Sequence, residues 1–159
     1  MATITFITVG TLKESYLREA VAEYKKRLSQ YARVEEIELK EERIQNEDSR
    51  AEIEAALSRE ADKIISLLPK DAMKIALCVE GKQYSSEELS ELLSSGIDGS
   101  GKIVFIIGSS YGLDSRVKRE CDVRLSVSKL TFPHQLMKAI LFEVVYRSFT
   151  IIHGKRYHK

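Results

Sequence analysis

The sequence predicts an α/β fold, a mainly parallel sheet flanked by helices, in one domain spanning residues 1–159. Three observations carry this reading. Strand-like and helix-like segments alternate along the whole chain, the pattern of successive β-α-β units. The run KIVFIIG at 102–108 is almost wholly apolar, as a central strand covered on both faces must be. A chain of 159 residues is also long enough to bury roughly 70% of its unfolded surface around one core.

Each element has its own warrant. ATITFITVG at 2–10 alternates and is rich in β-branched residues, which predicts a first strand. From Lys13 to Tyr31, the residues Tyr16, Leu17, Ala20, Val21, Tyr24 and Leu28 recur at the i, i+3, i+4 spacing of an amphipathic helix. VEEIEL at 34–39 alternates apolar and acidic residues, a strand with one wet face. A second helix is predicted from about Asp48, with Ile53, Ala56, Leu57, Ile64 and Leu68 on its apolar stripe and Pro69 as its stop. MKIALCV at 73–79 is the third strand. Ser85 followed by Glu88 makes a capping box for a helix expected to close at Gly96. After the 102–108 strand, Asp114 can cap a short charged helix. RLSVS at 124–128 predicts a fifth, short strand, and Pro133 opens the last helix.

Composition excludes several classes. Apolar content of 43% and charged content of 31% belong to a folded globular protein, and no repeat period is visible. MATITFITVG lacks the basic start and long apolar core of a signal peptide, and no stretch approaches the ~20 apolar residues of a membrane helix. Cys78 and Cys121 have no metal-ligand spacing and are expected as reduced thiols. A cytoplasmic protein with no membrane association and no metal is the expectation. The net charge of +1 argues against a nucleic-acid partner, but its distribution argues the other way. Glu41 to Asp62 holds eight acids against three arginines, whereas from Val123 onward seven basic residues face Glu143 alone.

Open α/β sheets bind ligands beyond the C-terminal ends of their strands. The predicted loops there are EGKQY at 80–84, GSSYG at 108–112 and the 126–132 stretch. No dinucleotide fingerprint, Walker A loop or nucleophile elbow fits any of them. The last helix is apolar on nearly every side, so it must be covered on nearly every side. In a domain this small its second face is expected to meet another copy, giving a homodimer; a fully internal helix in a monomer is the alternative. Glu143 and Arg147 stand at i, i+4, either as an intrahelical pair or with Arg147 reaching a phosphate or carboxylate across the seam. Beyond Gly154, the tail Lys155, Arg156, Tyr157, His158, Lys159 offers cations for phosphates and rings for an unpaired base, or is a solvated end.

Four of these features together resemble the SPOUT-class methyltransferases: KIVFIIG with Gly108, the loop LSVSKLTFPH, the helix with VVYRS, and the ending RYHK. More narrowly they resemble the small bacterial family that methylates N3 of a pseudouridine in 23S ribosomal RNA. The similarity covers essentially the whole chain, including VGT after the first strand, and its C-terminal part is the most specific. The resemblance implies a C-terminal trefoil knot, a homodimer, and S-adenosyl-L-methionine held by the knot loops. On this sequence it implies cofactor contacts at Leu77, Gly108, Val127, Ser128, Lys129, Leu130, Thr131 and Phe132, with Leu77, Leu130 and Phe132 as apolar walls. Relatives often carry Gly-Gly-Pro where this chain has Ser109 and Ser110, but Gly108 is retained. For the transfer itself, His134 or His158 would serve as base, and Tyr157 would stack on or orient the target. Arg147, Lys155 and Arg156 would hold phosphates and the uracil-like anion. With so balanced a net charge, the assembled ribosome rather than naked RNA is the expected partner. A non-catalytic RNA-binding module and a SPOUT methyltransferase of tRNA are the two rival readings.

Overall fold

The computed structural model describes residues 1–159. Ten elements follow one another: β1 (Ala2–Val9), α1 (Ser15–Leu28), β2 (Ala32–Leu39), α2 (Arg50–Leu67), β3 (Met73–Gln83), α3 (Ser86–Gly99), β4 (Lys102–Ile107), α4 (Ser115–Glu120), β5 (Val123–Ser126) and α5 (His134–Ile152). The five strands are all parallel and lie in the order β2-β1-β4-β3-β5. Helices α1, α3 and α5 pack together, and α2 packs with α4.

The two-residue period of the strands sorts side chains into two cores. Ile4, Phe6, Ile103 and Phe105 join residues of α1, α3 and α5, while Ile7, Val9, Val104 and Ile106 join residues of α2 and α4. At the centre of the first core, Phe142 of α5 stacks on Phe6 with ring centroids 3.9 Å apart, and Phe6 stacks on Phe105 at 5.4 Å. Aromatic pairs at such distances add to the burial of their area.

Local chemistry starts the helices where the sequence predicts. The Ser49 hydroxyl accepts from Glu52 N–H, and Asp114 accepts from Arg116 N–H. Ser85 and Glu88 form the full reciprocal capping box. Several boundaries shift by one to three residues, and two differences shape the sheet. Helix α3 runs past Gly96 to Gly99, and Gly96 is buried inside it against Met73 and Ile103, where its bare α-carbon allows helix and sheet to close up. Strand β3 runs on to Gln83, so most of the expected 80–84 loop is strand. Its register slips between Leu77 and Lys82, after which Lys82 and Gln83 pair with Leu125 and Ser126. Gly81 permits the bulge: a β-carbon there would lie 2.6 Å from the Arg124 carbonyl oxygen.

Helix α5 is less uniform than its composition implies. Leu141, Phe142, Val145 and Phe149 are in the core, but so is Lys138, with its Nζ 3.1 Å from both Glu36 and Glu38 of β2. Burial pushes the Glu36 carboxyl up, and Lys25 and Lys138 together outweigh this and hold it below its ordinary value. The outer stripe leaves Leu136 exposed and Ile140, Val144 and Ile151 half-buried in the single chain. The helix ends in a Schellman turn: Lys155 N–H reaches Thr150 O, Gly154 N–H reaches Ile151 O, and Gly154 takes a φ of +63°.

The stacked ring of Phe142 makes a direct prediction. Phe142→Ala should lower unfolding stability by about 3–5 kcal/mol, seen as an earlier urea midpoint, whereas Leu130→Ala, on an exposed loop, should shift it by no more than ~0.5 kcal/mol.

Candidate active site

A cleft of about 690 Å³ opens at the C-terminal ends of β3, β4 and β5. Its walls are the stretch of β3 from Leu77 to Glu80, the turn after β4 from Gly108 to Leu113, and the segment between β5 and the first turn of α5. The turn after β4 is closed at backbone distance. A β-carbon on Gly108 would lie 2.3 Å from the Gly112 carbonyl oxygen, so only glycine fits. The segment after β5 is folded on itself: Ser126 Oγ donates to Ser128 O at 3.1 Å, and Leu130 N–H donates to Ser128 Oγ at 3.0 Å. Part of the hydroxyl chemistry of this loop therefore shapes the loop.

Leu77, Gly108, Val127, Ser128, Leu130, Thr131, Phe132 and His134 all line this cleft. Lys129 does not; the turn at Ser128 leaves its side chain exposed outside the lining. Of the expected 80–84 loop only Glu80 lines the cleft; Gly81, Lys82 and Gln83 continue β3 beyond it. Cys78, Lys118 and Met137 also line it and carried no signal in the sequence. Lys118 on α4 pairs with Glu80 and holds that carboxyl below its ordinary value. Burial, with help from the Glu80 charge, pushes the Cys78 thiol up, so Cys78 is a neutral wall group rather than a nucleophile.

At the α5 end of the cleft, His134 Nε2 lies against Gly10, 3.6 Å from the place a β-carbon would take. Glu41 Oε2 lies 3.7 Å from the same point. Behind the turn after β4, Glu60 is buried beside Ser109 and accepts from Glu42 N–H at 2.9 Å. Burial raises its carboxyl above the ordinary value of 4.5 despite these hydrogen bonds.

Arg147, Tyr157 and His158 are gathered too, but elsewhere. Arg147 donates through Nε and Nη2 to Glu143 Oε1 at 3.0 and 2.6 Å, so the intrahelical pair is formed. Tyr157 Oη donates to the same carboxylate at 3.1 Å, and the guanidinium sits 4.7 Å from the Tyr157 ring centroid. Burial, then the Glu143 charge, pushes the Tyr157 phenol up to about 12. His158 places Nε2 2.7 Å from Glu87 of α3 and Nδ1 3.3 Å from Arg147 Nη1. The ring is thus held between the Glu87 carboxylate at Nε2 and the Arg147 guanidinium at Nδ1. The tail thus lies across the outer face of α5. At a rise of ~1.5 Å per residue, Arg147 stands roughly 20 Å along the helix from His134.

A family model described as "Predicted SPOUT methyltransferase" matches residues 2–158. The chain belongs to the SPOUT methyltransferase family. Over 156 residues it is 50% identical to the ribosomal RNA large subunit methyltransferase H of Caldicellulosiruptor bescii, covering 98% of this chain and 99% of that one. To the protein of the same name from Streptococcus suis it is 47% identical, at the same coverage of each chain. Among solved structures, a probable methylase family protein from Haemophilus influenzae aligns with a TM-score of 0.51 at 12% identity, over 99% of this chain and 70% of that one, a likeness of fold. In this SPOUT chain no group of His, Cys, Asp and Glu is arranged to hold a metal ion, and no helix is long and apolar enough to cross a membrane.

The raised carboxyl of Glu60 sets a pH dependence. Folded Glu60 holds its proton more tightly than the unfolded chain does. Its contribution to stability is therefore complete below about pH 4.5 and is lost as pH rises through the higher folded value. Glu60→Gln keeps an oxygen for Glu42 N–H and removes that loss. Its melting temperature should gain on that of the wild type between about pH 4 and about pH 7. A difference that stays flat with pH would show that the Glu60 charge is solvated.

Proposed function

We propose that this SPOUT chain is an S-adenosyl-L-methionine-dependent methyltransferase acting on N3 of a pseudouridine in 23S ribosomal RNA, as a homodimer working on assembled ribosomes. The observation that carries the proposal is the cleft, where three separate stretches of chain meet around Gly108. The names of the relatives support ribosomal RNA as substrate, and the resemblance in KIVFIIG, LSVSKLTFPH, VVYRS and RYHK supports the nucleotide and the atom.

S-adenosylmethionine suits the cleft by size and by chemistry. Its volume falls within the ~300–1,000 Å³ of small-molecule sites. Leu77, Leu130 and Phe132 would flank the adenine, and backbone groups of 127–132 would bond its edge. Glu80 and Lys118 place charges of both signs on the wall. When bound, the cofactor supplies a methyl group on a sulfonium for a single in-line displacement. The protein's share is alignment, worth up to ~7–11 kcal/mol, and removal of the proton from the target nitrogen. His134, in the cleft wall, is placed to take that proton or to order the loop before it. Lys129 contributes through its main chain, its side chain being turned outward.

Tyr157 and His158 are held too far along α5 to meet their own subunit's cleft. In the homodimer, with Leu136, Ile140 and Ile151 at the seam, the tail of one subunit completes the cleft of the other. There Tyr157 orients the target base, His158 is the second candidate base, and Arg147, Lys155 and Arg156 face phosphates. The trefoil knot belongs to the same reading. The chain leaves edge strand β5, walls the cleft beside the 108–113 turn, and returns to the opposite layer against α1 and α3.

Calorimetric titration with S-adenosylmethionine is the first test. The wild type should bind, and Gly108→Val, whose side chain meets the Gly112 backbone, should not. No binding by the wild type would leave an RNA-binding module as the better reading. Sharing of the site is tested with mixed dimers carrying Gly108→Val in one subunit and His158→Ala in the other. They should recover one working site while each parent homodimer is inactive on ribosomes; inactive mixed dimers would put each tail at its own subunit's cleft.

A further inference from the structure

The mouth of the cleft has two electrically different sides. Resting on the methyltransferase reading, we infer that the sheet edge at β5 receives the RNA backbone, while the exposed apolar tips of the cleft contact the bases beside the target. Lys82, Arg124 and Lys129 stand on or just beyond this edge, all exposed, and none has a carboxylate partner. By contrast Lys102, Arg116, Lys118, Lys138 and Arg147 each face one.

Strand register fixes their placement. Lys82 lies opposite Leu125, so Lys82 and Arg124 sit at one height of the sheet edge and project from its two faces, and Lys129 stands in the loop that follows. Gly81, next to Glu80 of the cleft wall, lies against the Arg124 main chain, which sets Arg124 beside the mouth. The Lys82 ammonium lies 4.7 Å from the Tyr84 ring centroid. A cation held by a ring rather than a carboxylate keeps its charge free for a phosphate. A charged residue on a short edge strand also prevents strands of other chains from adding on. That role accounts for Arg124 but not for Lys129, which is outside the sheet.

Val79 and Leu130, both in the cleft lining, are 52% and 69% exposed. Large apolar side chains left in water at the lip of a polar rim mark a contact surface, and flat bases splayed from an RNA loop are suitable occupants. Across the mouth the sign reverses. Tyr111 stands near Glu47, Glu41 and Asp48; local desolvation and then these charges push its phenol up. A phosphate chain is drawn to the β5 side and repelled from the Tyr111 side, which gives the RNA one direction of approach.

The test compares Lys82→Gln/Arg124→Gln with Lys26→Gln/Lys70→Gln. The second pair removes equal charge where α1 ends and β3 is about to begin, at the far end of the sheet. Each protein is bound to 70S ribosomes from a bacterium lacking this methylation, over a series of salt concentrations, and titrated with S-adenosylmethionine. The wild type and the far pair should share one slope of log K against log salt. The edge pair should be shallower by about 1.5–2 and bind at least roughly tenfold more weakly at low salt, with cofactor affinity unchanged. An edge pair that matches the far pair overturns the surface and leaves the methyltransferase reading standing. A wild type that neither binds the cofactor nor methylates ribosomes overturns that reading, and the surface falls with it.

Discussion

The candidate site depends on two places where main chain lies against main chain with no side chain between. At Gly108 the turn after β4 folds back so closely that a β-carbon would sit 2.3 Å from the Gly112 carbonyl oxygen. At Gly81 the bulge in β3 brings the backbone against Arg124 of β5. The first contact shapes the floor of the cleft. The second lets β3 resume pairing beyond the bulge, which carries the sheet edge up beside the mouth and sets Glu80 and Lys82 where they are. Backbone contacts of this kind cannot be relaxed by a rotamer change, because the obstructing atoms belong to the chain itself.

The rotation of α5 follows from a different constraint. A buried lysine is costly unless its charge is met, and Lys138 is met by both Glu36 and Glu38 on β2. Together with the Phe142 ring on Phe6, this fixes which side of the helix faces the sheet. His134 is thereby committed to the cleft and Glu143 and Arg147 to the outer face. A helix is a rigid spacer, so the groups it carries at the two ends cannot be brought together within one subunit. The geometry that anchors the helix thus keeps Arg147 away from the cleft that His134 lines.

The acid-rich stretch from Glu41 to Asp62 reads in the sequence as one pole of a charged molecule, but much of that charge is spent internally. Glu42 is gripped by Arg59 and Lys63, Glu52 accepts from the main chain at Gln45 and Asn46, and Glu60 is buried. These contacts hold the long connection between β2 and α2 against α2 itself. The basic pole divides likewise. Lys138 and Arg147 face carboxylates, while Arg124 and Lys129 remain free. Counting charges along the chain could not have made this separation, because pairing is decided across distances of many residues.

What the sequence by itself determined is everything that depends on neighbours in the chain. The alternation in ATITFITV and KIVFII made strands, the apolar stripes made helices, and Ser49, Ser85 and Asp114 started helices because a cap needs only the next few N–H groups. The loops at 108–112 and 126–132 were legible for the same reason, and most residues nominated on them do meet in one cleft. Only the tertiary structure decided the rest. Whether 80–83 is loop or strand depended on a partner more than forty residues away in β5. Whether Lys129 faces the cleft depended on the hydroxyl turn at Ser128, and whether the tail reaches its own site depended on which carboxylates α3 and α5 present to it. Periodicity records which face of an element is apolar. It holds no record of what that face, or the groups beside it, will touch.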